Sequence, residues 1–461
     1  MFEPFQAIRV ERPRPDVIRE HRHAGWFAVA TVCFGAFMGQ LDASIVTLAF
    51  PAMQQDFGSP LAAVQWVSLA YLLTLVGLLP AAGRIADSTG RKQMYLYGFA
   101  LFSAASVACG FAPNLGVLVG LRVLQAVGAA MLQANSVALV VTSVPREQMR
   151  SALGIQSAAQ AIGLAAGPVV GGLLVSALDW RWVFWIKLPI GLIGLVAGWF
   201  LLPRTRERTP MQRFDILGLL LLLLASGGVL LGLSGLGGLG LSPLASVVLI
   251  IGGLGLAVGW LRWEGASVDP LVRPEILRAR AVSVGLIGAL CGYLVLFGPL
   301  TLIPQTEGSH GRVGLALTCL PLGFGVAAVL AQRLLPRRLG PRGRAALGAG
   351  LAAVALALLA WALPQPGWLA ALLFVTGLGL GVFIPANNTT IMAAIPSRLS
   401  ATGGGLVNMA RSLGTALGVA VVTVCLHAGA ASGAVTALIC LAIFGAIGAV
   451  SGTLTGNRPT I

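Results

Sequence analysis

The segment "GQLDASIVTLAFP" at residues 39–51 places an acid inside an apolar run that extends over about residues 26–49. About twenty mainly apolar residues are enough to cross the hydrocarbon of a bilayer. Ionisable side chains at such a depth are costly, and they mark functional sites by default. Asp42 is the only acid that we find well within an apolar run, and we expect it in the outer half of its span.

The composition is that of a polytopic membrane protein. Of the 461 residues, 57% are hydrophobic and 10% are charged, and the mean hydropathy is +0.89, so one water-soluble core cannot bury the apolar surface. The 6 cysteines are scattered singly through apolar runs and predict neither a metal site nor a disulfide framework. The net charge of +15 is spread among short loops, so we expect no nucleic-acid partner.

The apolar runs predict fourteen transmembrane helices and an all-α integral membrane fold. The runs lie at about 26–49, 61–82, 94–111, 115–140, 152–177, 180–202, 214–236, 243–263, 281–303, 313–333, 345–363, 367–391, 401–427 and 432–453. The seventh and eighth runs carry almost no charge. They are expected to form a lipid-facing pair inserted between two bundles of six helices.

The basic residues predict the orientation in the membrane. With a cytoplasmic N-terminus, the inner segments contain 25 of the 30 lysines and arginines, whereas the outer loops contain only Arg181 and Arg312. This positive-inside pattern places both termini in the cytoplasm and the protein in the cell inner (plasma) membrane.

The chain therefore divides into five predicted parts. They are a disordered cytoplasmic tail at 1–25, an N-terminal six-helix bundle at 26–202, a linker with the two inserted helices at 203–263, a C-terminal six-helix bundle at 264–453 and a cytoplasmic tail at 454–461. Similar basic turns after the second and tenth runs suggest that the two bundles are duplicated halves. No ATP-binding or zinc-protease motif occurs, so active transport would need an ion gradient, with no cofactor.

Seven motifs follow one another along nearly the whole chain: "LDASIVTLAFP" (41–51), "VQWVSLAYLL" (64–73), "GRIADSTGRK" (83–92), "LRVLQAVGAAM" (121–131), "GLAAGPVVGG" (163–172), "WRWVFWIKLPIG" (180–191) and "NMARSLGTALGVAV" (408–421). Together they resemble the major facilitator superfamily, and specifically its fourteen-span drug:proton antiporter branch (EmrB/QacA type). The resemblance implies the major facilitator fold, with two six-helix bundles that alternate access to a central site. Lys187 stands where that branch usually has asparagine.

Asp42 and Arg122 are the predicted proton-coupling residues. A carboxylate whose access to water changes can bind and release a proton. A guanidinium stays charged, so a buried arginine needs a partner or a wet cavity. The resemblance implies that Arg122 influences proton exchange. The alternatives are that Asp42 faces a permanently wet vestibule and that Arg122 extends to the membrane surface. Arg411, about ten residues into its span with no acid in view, is expected to be structural or to extend towards the membrane surface.

The turn "GRIADSTGRK" is the predicted cytoplasmic gate, through Gly83, Asp87, Gly90 and Arg91. Asp87 can accept backbone N–H bonds at a helix N-terminus, where the helix dipole favours an anion. Such a contact can form in one conformation and break in another. The alternative is a static tight turn.

The fifth run holds the predicted antiporter motif. Gly163, Gly167 and Gly171 recur every four residues and so share one helix face, while Pro168 and Gly172 allow a bend. The resemblance favours a role in preventing proton leak; close helix packing alone is the alternative.

A tentative substrate cavity uses aromatic and amide side chains within the spans: Trp66, Tyr71, Gln125, Gln156, Asn387 and Asn388. Such residues suit an adaptable, mainly apolar site, although each can equally join helices to one another. The sequence thus favours a monomeric, proton-coupled exporter of hydrophobic or amphipathic small molecules such as drugs or antibiotics, with the lipid bilayer, protons and the substrate as partners. The alternatives are a facilitator or importer of a metabolite on the same fold and a non-transporting membrane enzyme or receptor; no enzyme activity is expected.

Overall fold

The computed structural model describes residues 11, 13–211, 213–236, 239–307, 311–336, 338–362, 366–428 and 432–454. Within them, every regular element is helical. The long helices are α1 Ala24–Ile45, α2 Trp66–Thr89, α3 Arg91–Gly110, α4 Leu115–Ser143, α5 Met149–Ala177, α6 Lys187–Leu201, α7 Ile216–Leu236, α8 Pro243–Ala266, α9 Arg280–Glu307, α10 Gly311–Leu334, α11 Pro341–Ala362, α12 Leu369–Ala393, α13 Ser400–Ala428 and α14 Gly433–Leu454. Apolar helices satisfy their own backbone groups, which is what a bilayer demands.

Twelve helices of the described chain are long and apolar enough to cross a membrane, so the prediction of fourteen spans is not supported in full. The two that fall short are α3 and α10. The first begins with the polar sequence "RKQ" and is less apolar than its neighbours. In the second, the side chains are described without a break only over Ala316–Ala331, and this apolar stretch is shorter than the roughly twenty residues that a span needs.

The two halves of the chain repeat one packing scheme. In the first half, α1 packs on α5, α2 on α4, α3 on α4 and α3 on α6. In the second half, α9 packs on α13, α10 on α12, α11 on α12 and α11 on α14, which are the corresponding pairs. Between the halves, α2 packs on α13 and α5 on α10, so the second helix of each half meets the fifth helix of the other. This arrangement is that of duplicated halves facing each other across a central seam.

The inserted helices differ from the expected lipid-facing pair in one respect. Helix α8 packs mainly on α7, and many of its apolar side chains are exposed. Helix α7, however, also packs on α2 and α13, and Leu222 belongs to the same buried cluster as Leu79 and Leu406. One inserted helix therefore contacts both halves at once, and its Leu223 packs on α2 where Gly77 leaves space.

The halves are in close contact at one end of the bundle. This "Asp87 end" is where α2 ends and α13 begins. There a side chain at Gly83 would collide with the backbone of Ala401, and one at Gly405 with the backbone of Leu79. At the opposite end, which we call the "Trp180 end", the cluster that includes Trp180 contains residues of the first half only. The molecule is therefore closed at the Asp87 end.

The predicted tails are only partly visible. Residues 1–10, 12 and 455–461 lie outside the described residues. Within the predicted N-terminal tail, Asp16–Arg19 forms a short helix. Glu11 is buried, and it accepts hydrogen bonds from the Thr205 N–H at 2.6 Å and the Thr205 hydroxyl at 3.0 Å. This point of the tail is thus held against the linker.

Candidate functional site

Three charged side chains meet inside the first half and form what we call the charge triad: Asp42 on α1, Arg122 on α4 and Lys187 at the start of α6. Their exposed fractions are 0, 1 and 0%. Arg122 Nη1 donates to both carboxylate oxygens of Asp42, at 3.0 Å each, and Lys187 Nζ donates to Oδ1. With two cations and one anion, the charge triad carries an excess positive charge at a buried position.

The surroundings of Arg122 fix its orientation. Its Nε donates to the Val67 carbonyl at 3.0 Å, and its Nη1 donates to Gln125 Oε1 at 2.6 Å. Its Cζ lies 4.1 Å from the centre of the Tyr71 ring, and Lys187 Nζ lies 4.6 Å from the centre of the Phe184 ring. Aromatic faces stabilise cations that have lost their water. Two predicted cavity residues, Tyr71 and Gln125, therefore belong to the wall of the charge triad.

Asp87 joins the two halves at their closed end. Its carboxylate accepts bonds from the backbone N–H groups of Ala401 at 3.0 Å and Thr402 at 2.8 Å, and from the Thr402 hydroxyl at 2.8 Å. Arg91 adds two bonds, from Nε at 3.0 Å and Nη2 at 2.9 Å. These N–H groups belong to the first turn of helix α13, so the carboxylate lies at the positive end of a helix dipole. The sequence suggested this kind of contact. We call these four residues the Asp87 cluster.

Gly90 makes the turn of this cluster possible. Its φ of +132° is a conformation that other residues rarely adopt, and it ends α2 one residue before α3 begins. Arg91 can therefore point back at Asp87 and also donate to the Ser397 carbonyl at 2.5 Å, on the far half. Gly83, Asp87 and Arg91 thus contact the far half, and Gly90 forms the turn that positions Arg91.

The linker after α6 crosses the same junction. The Thr209 N–H donates to the Asp87 carbonyl at 2.8 Å, and the Thr209 hydroxyl donates to the Arg398 carbonyl at 3.1 Å. On the first half, the Arg91 N–H donates to the Thr205 hydroxyl at 2.8 Å. The linker therefore ties the two halves together beside the Asp87 cluster.

Three glycines of the predicted antiporter motif lie against α1. A side chain at Gly163 would meet the backbone of Phe37, one at Gly167 would meet Ser44, and one at Gly171 would meet Ile45. Pro168 and Gly172 lie on the exposed side of the same helix. The motif therefore brings the backbone of α5 close to the helix that carries Asp42.

We expect Gly167→Val to destabilise the protein by about 1–3 kcal/mol, because overpacking must push α5 away from α1. The matched control is Gly172→Val, where an added Cβ meets nothing within 4 Å. Thermal unfolding of both purified variants measures the difference. Equal midpoints for the two variants would contradict the close packing.

A small internal cavity lies on the seam between the halves. It is lined by Gly35, Ala36, Gly39, Leu132, Gln133, Ser136, Gln160 and Arg411. Arg411 reaches it from α13, is 7% exposed, and donates to Gln133 Oε1 on α4. Asp42 lies three residues beyond Gly39 on α1, about 4.5 Å along the helix axis, so the cavity and the charge triad are neighbours.

The other predicted cavity residues lie elsewhere. Asn387 donates to the Gly285 carbonyl at 2.8 Å and thereby joins α12 to α9. Trp66 is 38% exposed at the start of α2. Gln156 and Asn388 are buried, and neither is part of the cavity lining.

Two residues with a prominent place in the structure were not predicted as site residues. Lys187 was noted in the sequence only as a charge where the resembling branch has asparagine. Arg411 was expected to be structural or to extend towards the membrane surface. The signal that both share is a full charge inside an apolar run, Lys187 in the run 180–202 and Arg411 in the run 401–427, and the same signal singled out Asp42.

Comparison with known proteins gives the family. A model of the Major Facilitator Superfamily matches residues 32–419. The putative multidrug resistance protein MdtD of Yersinia enterocolitica is 34% identical over 403 residues, which are 84% of this chain and 84% of that protein. MdtD of Pectobacterium carotovorum is 33% identical over 398 residues, covering 85% of this chain and 84% of the relative.

A solved structure agrees on the fold. The crystal structure of the human organic anion transporter MFSD10 (TETRAN) superposes with a TM-score of 0.68, over 93% of this chain and 99% of that one, at 16% sequence identity. The duplicated halves, the seam between them and the matched family model lead to one conclusion: the chain is a multi-pass membrane protein that belongs to the Major Facilitator Superfamily.

Proposed function

We propose that this chain is a proton-coupled exporter of hydrophobic or amphipathic small molecules, such as drugs or antibiotics. The observation that carries the proposal is the charge triad, buried next to a cavity between two halves that can move relative to each other. The names of the MdtD relatives support drug efflux as the activity. Family membership favours a transporter over an enzyme.

The proposed cycle alternates access through the Asp87 cluster. The distribution of basic residues supports a cytoplasmic Asp87 end and cytoplasmic termini in the inner membrane. On that assignment the described conformation is closed to the cytoplasm. Opening must break the bonds that Ala401 and Thr402 donate to Asp87, together with those that the linker makes to both halves. Gly83, Gly90 and Arg91 permit this close contact and its release.

The proposed proton step uses Asp42. While Arg122 and Lys187 both contact the carboxylate, an added proton would leave two cations without their counter-ion. Proton uptake therefore requires a conformation in which Asp42 parts from at least one of them. Because α5 packs on α1 through the antiporter motif, a tilt of α5 would move the helix that carries Asp42. No cofactor beyond the proton gradient is needed.

We further propose that α3 and α10 also cross the membrane, which would give fourteen spans and a place in the EmrB/QacA-type branch. Helix α3 packs along α4 and α6, and α10 packs along α12 and α5. Each of these partners is itself long and apolar enough to span. The packing provides a protein environment for the more polar residues of both helices.

The test is uptake of the lipophilic dye Nile red into inverted vesicles that contain the full chain, with an imposed proton gradient. We expect accumulation to be several-fold above that of empty vesicles and to vanish when an uncoupler dissipates the gradient. Uptake that is the same with and without the uncoupler would instead favour the alternative of a facilitator. The absence of any flux for a broad dye panel would favour a non-transporting protein.

A further inference from the structure

We propose that the central cavity binds a negatively charged group of the cargo, and that Arg411 is the residue that holds it. The cargo would then be an organic anion with an apolar body, such as an aromatic carboxylate or sulfonate. The inference rests on the proposed export function and adds the charge of the substrate to it.

The first observation is that Arg411 is a buried cation that makes no ion pair with any described carboxylate. Its neighbours are neutral. Gln133 accepts one of its bonds, and its Cζ lies 5.9 Å from the centre of the Tyr293 ring. A guanidinium stays charged inside a protein, and burial without a counter-ion is strongly unfavourable. A ligand anion would supply that counter-ion.

The second observation is that the neighbouring charges do not offset Arg411. Asp42 is the acid closest to the cavity along α1, and its carboxylate is already shared by Arg122 and Lys187. The charge triad therefore adds a further positive charge instead of cancelling one. Both groups of charges raise the potential of the cavity between them, and that potential favours an anion over a cation.

The third observation is a buried hydroxyl group near Arg411, on a residue that is not itself part of the cavity lining. The Tyr71 hydroxyl is buried and has no hydrogen-bond partner among the described residues, while its ring stacks on Arg122. Arg411 and Tyr71 are close enough to interact electrostatically. Buried polar groups are normally hydrogen-bonded. A carboxylate or sulfonate bound by Arg411 could accept this O–H as well as guanidinium N–H groups.

The cavity wall opposite Arg411 suits an apolar body. On α1 it consists of Gly35, Ala36 and Gly39, and Leu132 of α4 adds an aliphatic surface. The volume in this closed conformation is only about 10 Å³, so the apolar body of the cargo requires a more open conformation of the transport cycle. The two halves contribute different parts of the site, because Arg411 comes from α13 and the wall from the first half. Binding of an anion would thus bridge the halves, as a substrate of an alternating-access transporter must.

The test compares two dyes that share one xanthene core: sulforhodamine B, with a net negative charge, and rhodamine B ethyl ester, a cation. Binding to the purified full chain is measured by fluorescence anisotropy, and flux is measured in inverted vesicles with a proton gradient. We expect the anion to bind and accumulate, and Arg411→Gln to weaken its binding at least about tenfold, the effect of losing a charge-assisted hydrogen bond. Arg411→Lys should retain part of the affinity. Rhodamine B ethyl ester should bind to the Arg411→Gln variant at least as tightly as it binds to the natural chain.

The control for a general change in charge is Arg181→Gln, which removes an arginine that pairs with Asp56 at the Trp180 end. It should bind sulforhodamine B as the natural chain does. The inference is overturned if the natural chain prefers the cation, or if Arg411→Gln loses both dyes equally. A third result would be anion binding that depends on Arg411 but no gradient-driven flux of either dye. That result would support the anion site and overturn the export function.

Discussion

Asp42→Asn is expected to abolish proton-driven uptake and also to destabilise the protein. The amide cannot carry the proton, so transport should fall to the level of empty vesicles. Arg122 and Lys187 would remain buried without their anion, and breaking a buried ion pair costs about 3–5 kcal/mol. Nile red uptake into inverted vesicles and thermal unfolding of the purified variant measure the two effects separately.

A second variant separates coupling from folding. In Asp42→Asn combined with Lys187→Met, the site again carries one excess positive charge, that of Arg122, as in the natural chain. We expect this double variant to regain most of the lost stability and none of the proton-driven uptake. If it were stable and accumulated dye like the natural chain, Asp42 would serve only as a structural counter-ion.

Asp87→Asn is expected to open the Asp87 end. An amide can accept on one atom only, so either Ala401 or Thr402 loses its acceptor, and the attraction of the helix dipole for an anion disappears. A cysteine at Ser400, a buried position at the start of α13, reports the opening. In a background without the native cysteines, a charged maleimide should label Ser400→Cys at least about tenfold faster when Asp87 is replaced, and dye uptake should fall.

Asp16→Asn is the matched control, because Asp16 is an acid that is 76% exposed in the N-terminal segment. It should leave both labelling and uptake unchanged. Equal labelling rates in the Asp87→Asn variant and the natural chain would mean that the Asp87 cluster does not hold this end closed.

The helical fold was predictable because hydropathy is a local property of the chain. Each apolar run became a helix, and of the two that fell short as spans, α3 begins with the polar sequence "RKQ". The contact of Asp87 was predictable too, since an acid in a short glycine-containing turn faces few geometric choices. What the motif did not reveal is that its partner would be α13.

The composition of the cavity was not predictable in the same way. Arg411 and Gln133 are 278 residues apart, and Lys187 and Asp42 are 145 apart. Which face of each helix meets the seam depends on rotations and tilts that are set by all neighbours together, and these helices are apolar on nearly every side. An amide in a span can therefore join two helices, as Asn387 does, or line a cavity, as Gln160 does.

The position of α7 has a consequence for the route by which cargo arrives. At the two sides of the central seam the halves meet through different helix pairs, α2 with α13 on one side and α5 with α10 on the other. Helix α7 lies over the first, with Leu222 in the cluster that includes Leu79 and Leu406. A hydrophobic molecule dissolved in the lipid leaflet would have to pass this helix to enter there. Lateral entry from the bilayer should therefore be one-sided, through the α5–α10 seam, even though the two halves are built alike.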